Sequence, residues 1–277
     1  MNRSTAAIPA ALALILTSGT AYPQAQPQNQ NTRYASALYL RVPSEKTAAF
    51  IAWYSGPGAK AARERIKAES NLIGISLRQA VYGGVNAPQA NFVLVTVTNG
   101  PPTDPDPAKR DELYRRAIGM PYADYIAKAR EFSAITGSTL SHVHEMTPDY
   151  QASEGDYLVV QRIKIAENRN QDLTTLNREV RLPLNTERVK NGAIKGWTSG
   201  HLVFPSGTSL PWTATETTLH KNLASAVGGG AGGGLGNPAV FAKVLPNRSY
   251  TQSVDRLREA RTVVRTELYR VVVAIRR

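Results

Sequence analysis

The chain has 277 residues, 42% hydrophobic and 19% charged, a globular balance with enough apolar surface for one large domain or two small ones. It contains no cysteine, which excludes disulfides, thiolate metal sites, cysteine nucleophiles and a lipoprotein anchor. Its 33 Lys+Arg against 21 Asp+Glu give a formal net charge of +12, which suits anionic partners, but the basic residues are dispersed and form no reader motif, so no specific nucleic-acid partner is expected.

The N-terminus carries a single charge, Arg3, before the apolar run Ala6 to Leu16 and the small residues Gly19-Thr20-Ala21. That order predicts a secretory signal over residues 1–21, and hence a periplasmic or extracellular protein. The run falls short of the roughly eighteen apolar residues a spanning helix needs, and no later segment approaches that length, so no transmembrane segment is expected. The Gln-, Asn- and Pro-rich residues 22–34 are expected to be a disordered leader.

From there the chain alternates between strand and helix patterns. Ala37 to Val42 alternates as a strand; Ser44 is placed to cap a helix through about Trp53, which Gly56-Pro57-Gly58 is expected to break before a second helical stretch, Ala59 to Ala68. Leu72 to Tyr82 and Phe92 to Thr98 are strands separated by a turn at Gly83-Gly84; helices over Ala108 to Ala117 and Tyr122 to Phe132 precede a strand from Leu140 to Met146. The second half repeats the series: strand Tyr157 to Ile165, helix around Leu173 to Val189, strands Ile194 to Phe204 and Pro211 to Leu219, helix Tyr250 to Ala260, strand Val263 to Ile275.

The repetition also shows residue by residue. Tyr122 to Met146 aligns without a gap onto Tyr250 to Ala274, bringing Tyr122 onto Tyr250, Arg130-Glu131 onto Arg258-Glu259 and Leu140 onto Leu268. Upstream, Leu40-Arg41-Val42 falls on Gln161-Arg162-Ile163, Gly74-Ile75 on Gly196-Trp197, Tyr82 on Phe204 and Phe92 on Trp212. The separation between partners then widens, which requires an insertion in the second copy; the glycine-rich run Gly228 to Gly236 lies in that interval and is expected to be a flexible loop. Its G-x-G-x-x-G spacing lacks the Lys and Ser/Thr of a phosphate loop and ends in Asn237-Pro238 instead of opening a helix from a strand.

The fold class is therefore α+β: two tandem ferredoxin-like βαββαβ units, residues 35–147 and 156–277, each a four-stranded antiparallel sheet with two helices on one face. Each bare face must be buried, and packing one sheet against the other does so. With this topology and these matches, the chain resembles the dimeric α+β barrel superfamily in fused form, from about Ala35 to the C-terminus. The resemblance implies a lumen between the sheets; some members of the family are monooxygenase-like, some bind haem and some have no known activity. It carries over no functional residue, because no motif of the family stands in this chain, and it leaves the cofactor unknown.

The candidate site residues were chosen for chemistry and position. His142 and His144 share one face of a strand, where with His201 they could bind a metal or supply a base, or else be plain polar positions; no metal is assigned. Arg41 and Arg162 occupy corresponding strands and suit an acidic ligand or a structural ion pair. Glu216, the only carboxylate of its strand, is a partner for these arginines or, if burial raises its pKa, a general base. Val271 and Val273 are the more uniformly apolar alternation of the last strand, so helices are expected to cover them. That turns Arg270, with Leu140, His142 and His144, towards the lumen. A ligand is then expected near His142, His144, Arg162, Arg270 and Glu216, with Trp197 and Trp212 as apolar walls. Two functions stand: an exported protein that binds a small molecule in the lumen, or a non-catalytic envelope protein that binds anionic partners through its basic surface. An open lumen with convergent polar groups supports the first, and a lumen filled by side chains the second.

Overall fold

The computed structural model describes residues 32–82, 90–207, 209–229 and 234–277. The predicted signal segment, nearly all of the predicted leader, the Gly83-Gly84 turn and the middle of the glycine-rich run lie outside the described residues.

Eight antiparallel strands close into a barrel: β1 (Arg33–Arg41), β2 (Leu72–Tyr82), β3 (Phe92–Asn99), β4 (Ala134–Met146), β5 (Tyr157–Ile165), β6 (Gly196–Phe204), β7 (Ala214–His220) and β8 (Arg261–Arg276). In the first half the spatial order is β4-β1-β3-β2; in the second it is β8-β5-β7-β6. Both are the split βαβ arrangement. Each half leaves two edge strands, and the edges satisfy one another: β2 pairs with β8 and β4 with β6, so no backbone edge is left open. At the β4–β6 seam the backbones come so close that a Cβ on Gly200 would stand 2.6 Å from the His142 carbonyl oxygen, which explains a glycine there. β1 begins at Arg33, inside the stretch expected to be leader.

Helices cover the outside. Against the first sheet lie α1 (Thr47–Trp53), α2 (Ala59–Ala68), α3 (Pro107–Ile118) and α4 (Tyr122–Phe132); Leu40, Phe50, Ile66, Leu72, Leu77 and Phe92 form the core beneath α1 and α2. Burying each such side chain stabilises the fold by about 1.5–3 kcal/mol. Asp106 caps α3 by accepting from the backbone amides of Ala108 and Lys109, with Pro107 at the first helical position, and Gly119 ends it in a left-handed conformation, φ 76°. The expected break at Gly56-Pro57-Gly58 does not occur: Tyr54–Gly58 forms a π-helical turn that joins α1 to α2. The second half repeats this, with Asn177–Arg181 as a π-helical turn between α5 (Asn170–Leu176) and α6 (Leu182–Lys190).

The insertion in the second half contributes two helices that alternation did not reveal. α7 (Leu223–Gly228) follows β7, and its Ala226 packs on Val159 and Leu268. α8 (Pro238–Val244) sends Phe241 into the core beneath α9 (Tyr250–Ala260). Contrary to expectation, Asn237-Pro238 does open a helix: the Asn237 side chain accepts from the Ala239 amide.

Two irregularities decide which residues face inward. β8 gains a residue against β2 between its partners for Leu77 and Arg78, so Tyr269 and Val271 belong to the lumen cluster, whereas Val273 joins the core under the helices. β4 has a second bulge against β6 between Val143 and Glu145.

Candidate functional site

Inside the barrel is a cavity of about 600 Å³. Its walls come from alternate residues of the strands: Ala35, Ala37 and Tyr39 of β1, Val93, Val95 and Val97 of β3, Val143 of β4 and Val160 of β5. The other side is more polar, with Ser141, Thr198, Thr215 and Thr217. The connection from Met146 to Ala152 lines one end, and the exposed residues Asp149, Gln151 and Arg277 there bring the cavity to the surface. Eight strands enclose about the width that one small ligand fills, and this volume is of the size that takes one.

Arg33, Arg78, Arg162, Arg276 and Arg277 all line this space, and the surroundings of Arg78 and Arg162 differ. Arg162 is buried; its Nε donates to Glu267 Oε2 at 2.8 Å, and Glu267 also pairs with Arg265 at 2.9 Å. The Arg162 guanidinium lies 4.5 Å from the Trp212 ring centroid and 5.5 Å from that of Tyr39. Burial opposes its charge, but the phenol of Tyr39 and the carboxylate of Glu267 outweigh that and raise its pKa. Among the described residues, Arg78 of β2 has Ser76 Oγ as its one hydrogen-bond acceptor, at 3.2 Å from its Nε. Burial pulls its pKa down against the favourable influence of Tyr150 and Tyr269.

Of the residues expected at the site, Arg162 alone lines the cavity. Arg41, its expected counterpart, is exposed and lies outside the lining. Trp212 precedes β7 and packs on Arg162 without reaching the cavity. Trp197 faces the helices instead, buried under the guanidinium of Arg181 at 5.2 Å. Arg270 is exposed on the outer surface, because Tyr269 and Val271 take the inward positions. Glu216 is buried on the helix side, paired with Arg181 and, at 2.8 Å, with Arg261. Burial alone would raise its pKa, but the two guanidinium groups overcome that and hold it low, the opposite of the raised value expected of a general base there.

His142 and His144 also lie outside the lumen, since Ser141 and Val143 of β4 take the inward positions. The three histidines do assemble, as their spacing suggested, but on the outer face. His144 stands 4.2 Å from His142 and 4.3 Å from His201 between ring centroids, and Tyr34 stacks on His142 at 5.1 Å. Among the described residues, no group of three His, Cys, Asp or Glu is placed to hold a metal ion.

This cluster carries a pH prediction. Burial, then the neighbouring His201 and His142 and the cation of Arg178, push the His144 pKa down to about 3; burial likewise lowers His142 and His201. Below the ordinary value of 6.5 the unfolded chain takes up protons that the folded cluster refuses, so stability falls with pH. The slope is at most about 1.4 kcal/mol per pH unit for each histidine, and solvent screening leaves a loss of about 1–2 kcal/mol by about pH 5. Melting curves between about pH 7.5 and pH 5 are expected to show a smaller loss for His144→Gln than for the parent; equal losses would place the titration elsewhere.

No family model matches the chain, and no curated protein matches it in sequence. Solved structures do match in fold. A protein named as a candidate monooxygenase from Lactobacillus acidophilus superimposes with a TM-score of 0.57 over 88% of this chain and 96% of its own, at 9% identity. Another so named, from Fusobacterium nucleatum, gives 0.55 over 89% and 95%, at 6% identity. An anthrone oxidase-like protein gives 0.50 over 89% and 93%, at 9% identity. This chain has the dimeric α+β barrel fold. The α+β barrel here is closed within one chain by the β2–β8 and β4–β6 seams, as the repeat implied. At these identities the likeness concerns the fold and transfers no residue role.

Proposed function

We propose that this α+β barrel is an exported protein that binds one small, largely apolar organic molecule in its lumen. The single observation that carries this reading is the cavity: the lumen is open space lined by valine and alanine with a few polar groups, instead of being filled by side chains. The basic-surface alternative expected a filled lumen. The likeness to candidate monooxygenases adds oxygen insertion into the bound molecule as chemistry that this fold houses elsewhere.

Native mass spectrometry of the protein recovered from the periplasm or medium of its own source tests both halves of the proposal. The expected species is lighter than the 30.0 kDa chain by the first 21 residues and carries one small-molecule adduct. A full-length mass would overturn export. In Val95→Trp the indole would occupy the lumen, at a packing cost of about 1–3 kcal/mol, and the adduct is expected to vanish while the fold persists. An adduct that survives this substitution would place the ligand elsewhere.

A further inference from the structure

We infer that the lumen ligand is an anionic amphiphile whose carboxylate pairs with Arg78. This rests on the lumen-binding reading and deepens it. Arg78 lines the cavity and forms no ion pair with any carboxylate among the described residues. The segments outside the description contain no Asp or Glu, so no acidic side chain is left to neutralise it. Arg162, by contrast, already has Glu267. An interior guanidinium without a counter-ion is costly, and a ligand carboxylate is the group that relieves the cost, through paired charge-assisted hydrogen bonds.

A second polar group at the same cavity lacks a partner. The Tyr39 hydroxyl is buried and makes no hydrogen bond among the described residues. It can donate to an anion or accept from a ligand hydroxyl. Between Arg78 and Tyr39, on β3, stands Val93, the cross-strand partner of both, which continues with Val95 and Val97 as an apolar wall for the body of the molecule. The two halves of the barrel differ where it matters: four residues after Gly74 the chain has Arg78, and four residues after the corresponding Gly196 it has Gly200, and both line the cavity. At this pair of corresponding positions only the first half carries a charge, so the two ends of an asymmetric ligand with a single anionic group meet different surroundings.

The test uses the folded chain and two matched pairs of probes: 2-naphthoate with 2-naphthamide, and decanoate with decanamide. Calorimetric titration is expected to show at least one carboxylate binding roughly 10- to 100-fold more tightly than its neutral amide. Arg78→Met should erase that preference, weakening the carboxylate far more than the amide, and Arg78→Lys should retain part of it. The melting temperature of the ligand-free Arg78→Met variant should match or exceed the parent's, since an unpaired interior charge is removed; a structural role for Arg78 would lower it. Equal affinity for acid and amide in the parent, or a preference that survives in Arg78→Met, would overturn the assignment and leave lumen binding intact. If Val95→Trp leaves binding of these probes unaltered, the lumen reading fails as well.

Discussion

Glu216→Ala is expected to destabilise the protein by about 3–5 kcal/mol, because it removes the carboxylate that two buried guanidinium groups share. Glu216, Arg181 and Arg261 are all almost completely buried between the second sheet and its helices. Arg181 ends the π-helical turn and lies over Trp197, while Arg261 opens β8. The arrangement is already short of negative charge: burial and the neighbouring Arg181 pull the Arg261 pKa down to about 10 despite Glu216. For a domain of this size the loss corresponds to a drop of roughly 10 °C in melting temperature. Replacing all three groups with apolar side chains of similar volume should recover most of it, since the cost arises from broken pairing. The triad also has a pH signature opposite in cause to that of the histidines. The Glu216 carboxyl is held below its ordinary value of 4.5, so its contribution is present above that pH and is lost as the pH falls through the lower, folded value. Thermal melts of the single and triple variants decide the matter; a single variant as stable as the parent would show that the guanidinium groups find water or another acceptor.

The strands and helices were legible wherever one period dominated. β2, β5, α4 and α9 begin and end at the residues that alternation and helical spacing predict. Barrel closure followed from a simple constraint, that a sheet with helices on one face must bury the other. The π-helical turn at Tyr54–Gly58 was not legible, because Gly-Pro-Gly is ordinarily a helix breaker and only the packing of α1 and α2 on one sheet keeps the chain helical through it. The first residues of β4, Ala134 to Thr139, interrupt strand formers with Gly137 and Ser138 and show no apolar alternation; pairing with β1 holds them extended.

The site was legible in its location and misread in its residues. Assigning faces along β8 assumed unbroken alternation, and one extra residue near Val272 reverses the parity between Val271 and Val273. That slip carried Arg270, His142 and His144 to the wrong side. Arg78 was missed because the face Gly74, Ser76, Arg78 looks like the solvent side of an ordinary strand. In a closed barrel flanked by helices the sheet has no solvent side. Leu77, which alternates with Ser76 and Arg78, already belongs to the helix core, so a charged residue on the other face has to be interior. The same reasoning would have set Trp197 apart from the lumen, since Thr198 and Gly200 alternate with it.

Glu267→Gln is expected to cost about as much as Glu216→Ala, roughly 3–5 kcal/mol, and for a related reason. Glu267 is among the most buried side chains of the molecule, and it serves two cations: Arg162 from the neighbouring β5 and Arg265 from its own strand. Glutamine preserves the volume and one oxygen acceptor but supplies no charge, so the variant isolates the electrostatic part. Arg162 then lies against Tyr39 and Trp212 with no anion beside it, and the aromatic faces compensate for only about 1–2 kcal/mol. A double variant, Arg162→Met with Glu267→Gln, should be more stable than Glu267→Gln alone, giving a coupling energy of about 2 kcal/mol or more in a double-mutant cycle. The deficit is also open to chemical repair. Arg162 lines the cavity, so a small anion that enters the barrel can stand in for the lost carboxylate. Formate or acetate should raise the melting temperature of Glu267→Gln by several degrees more than that of the parent, while chloride at equal ionic strength gives the screening baseline. Identical responses in the two proteins would show that Arg162 cannot be reached from the lumen.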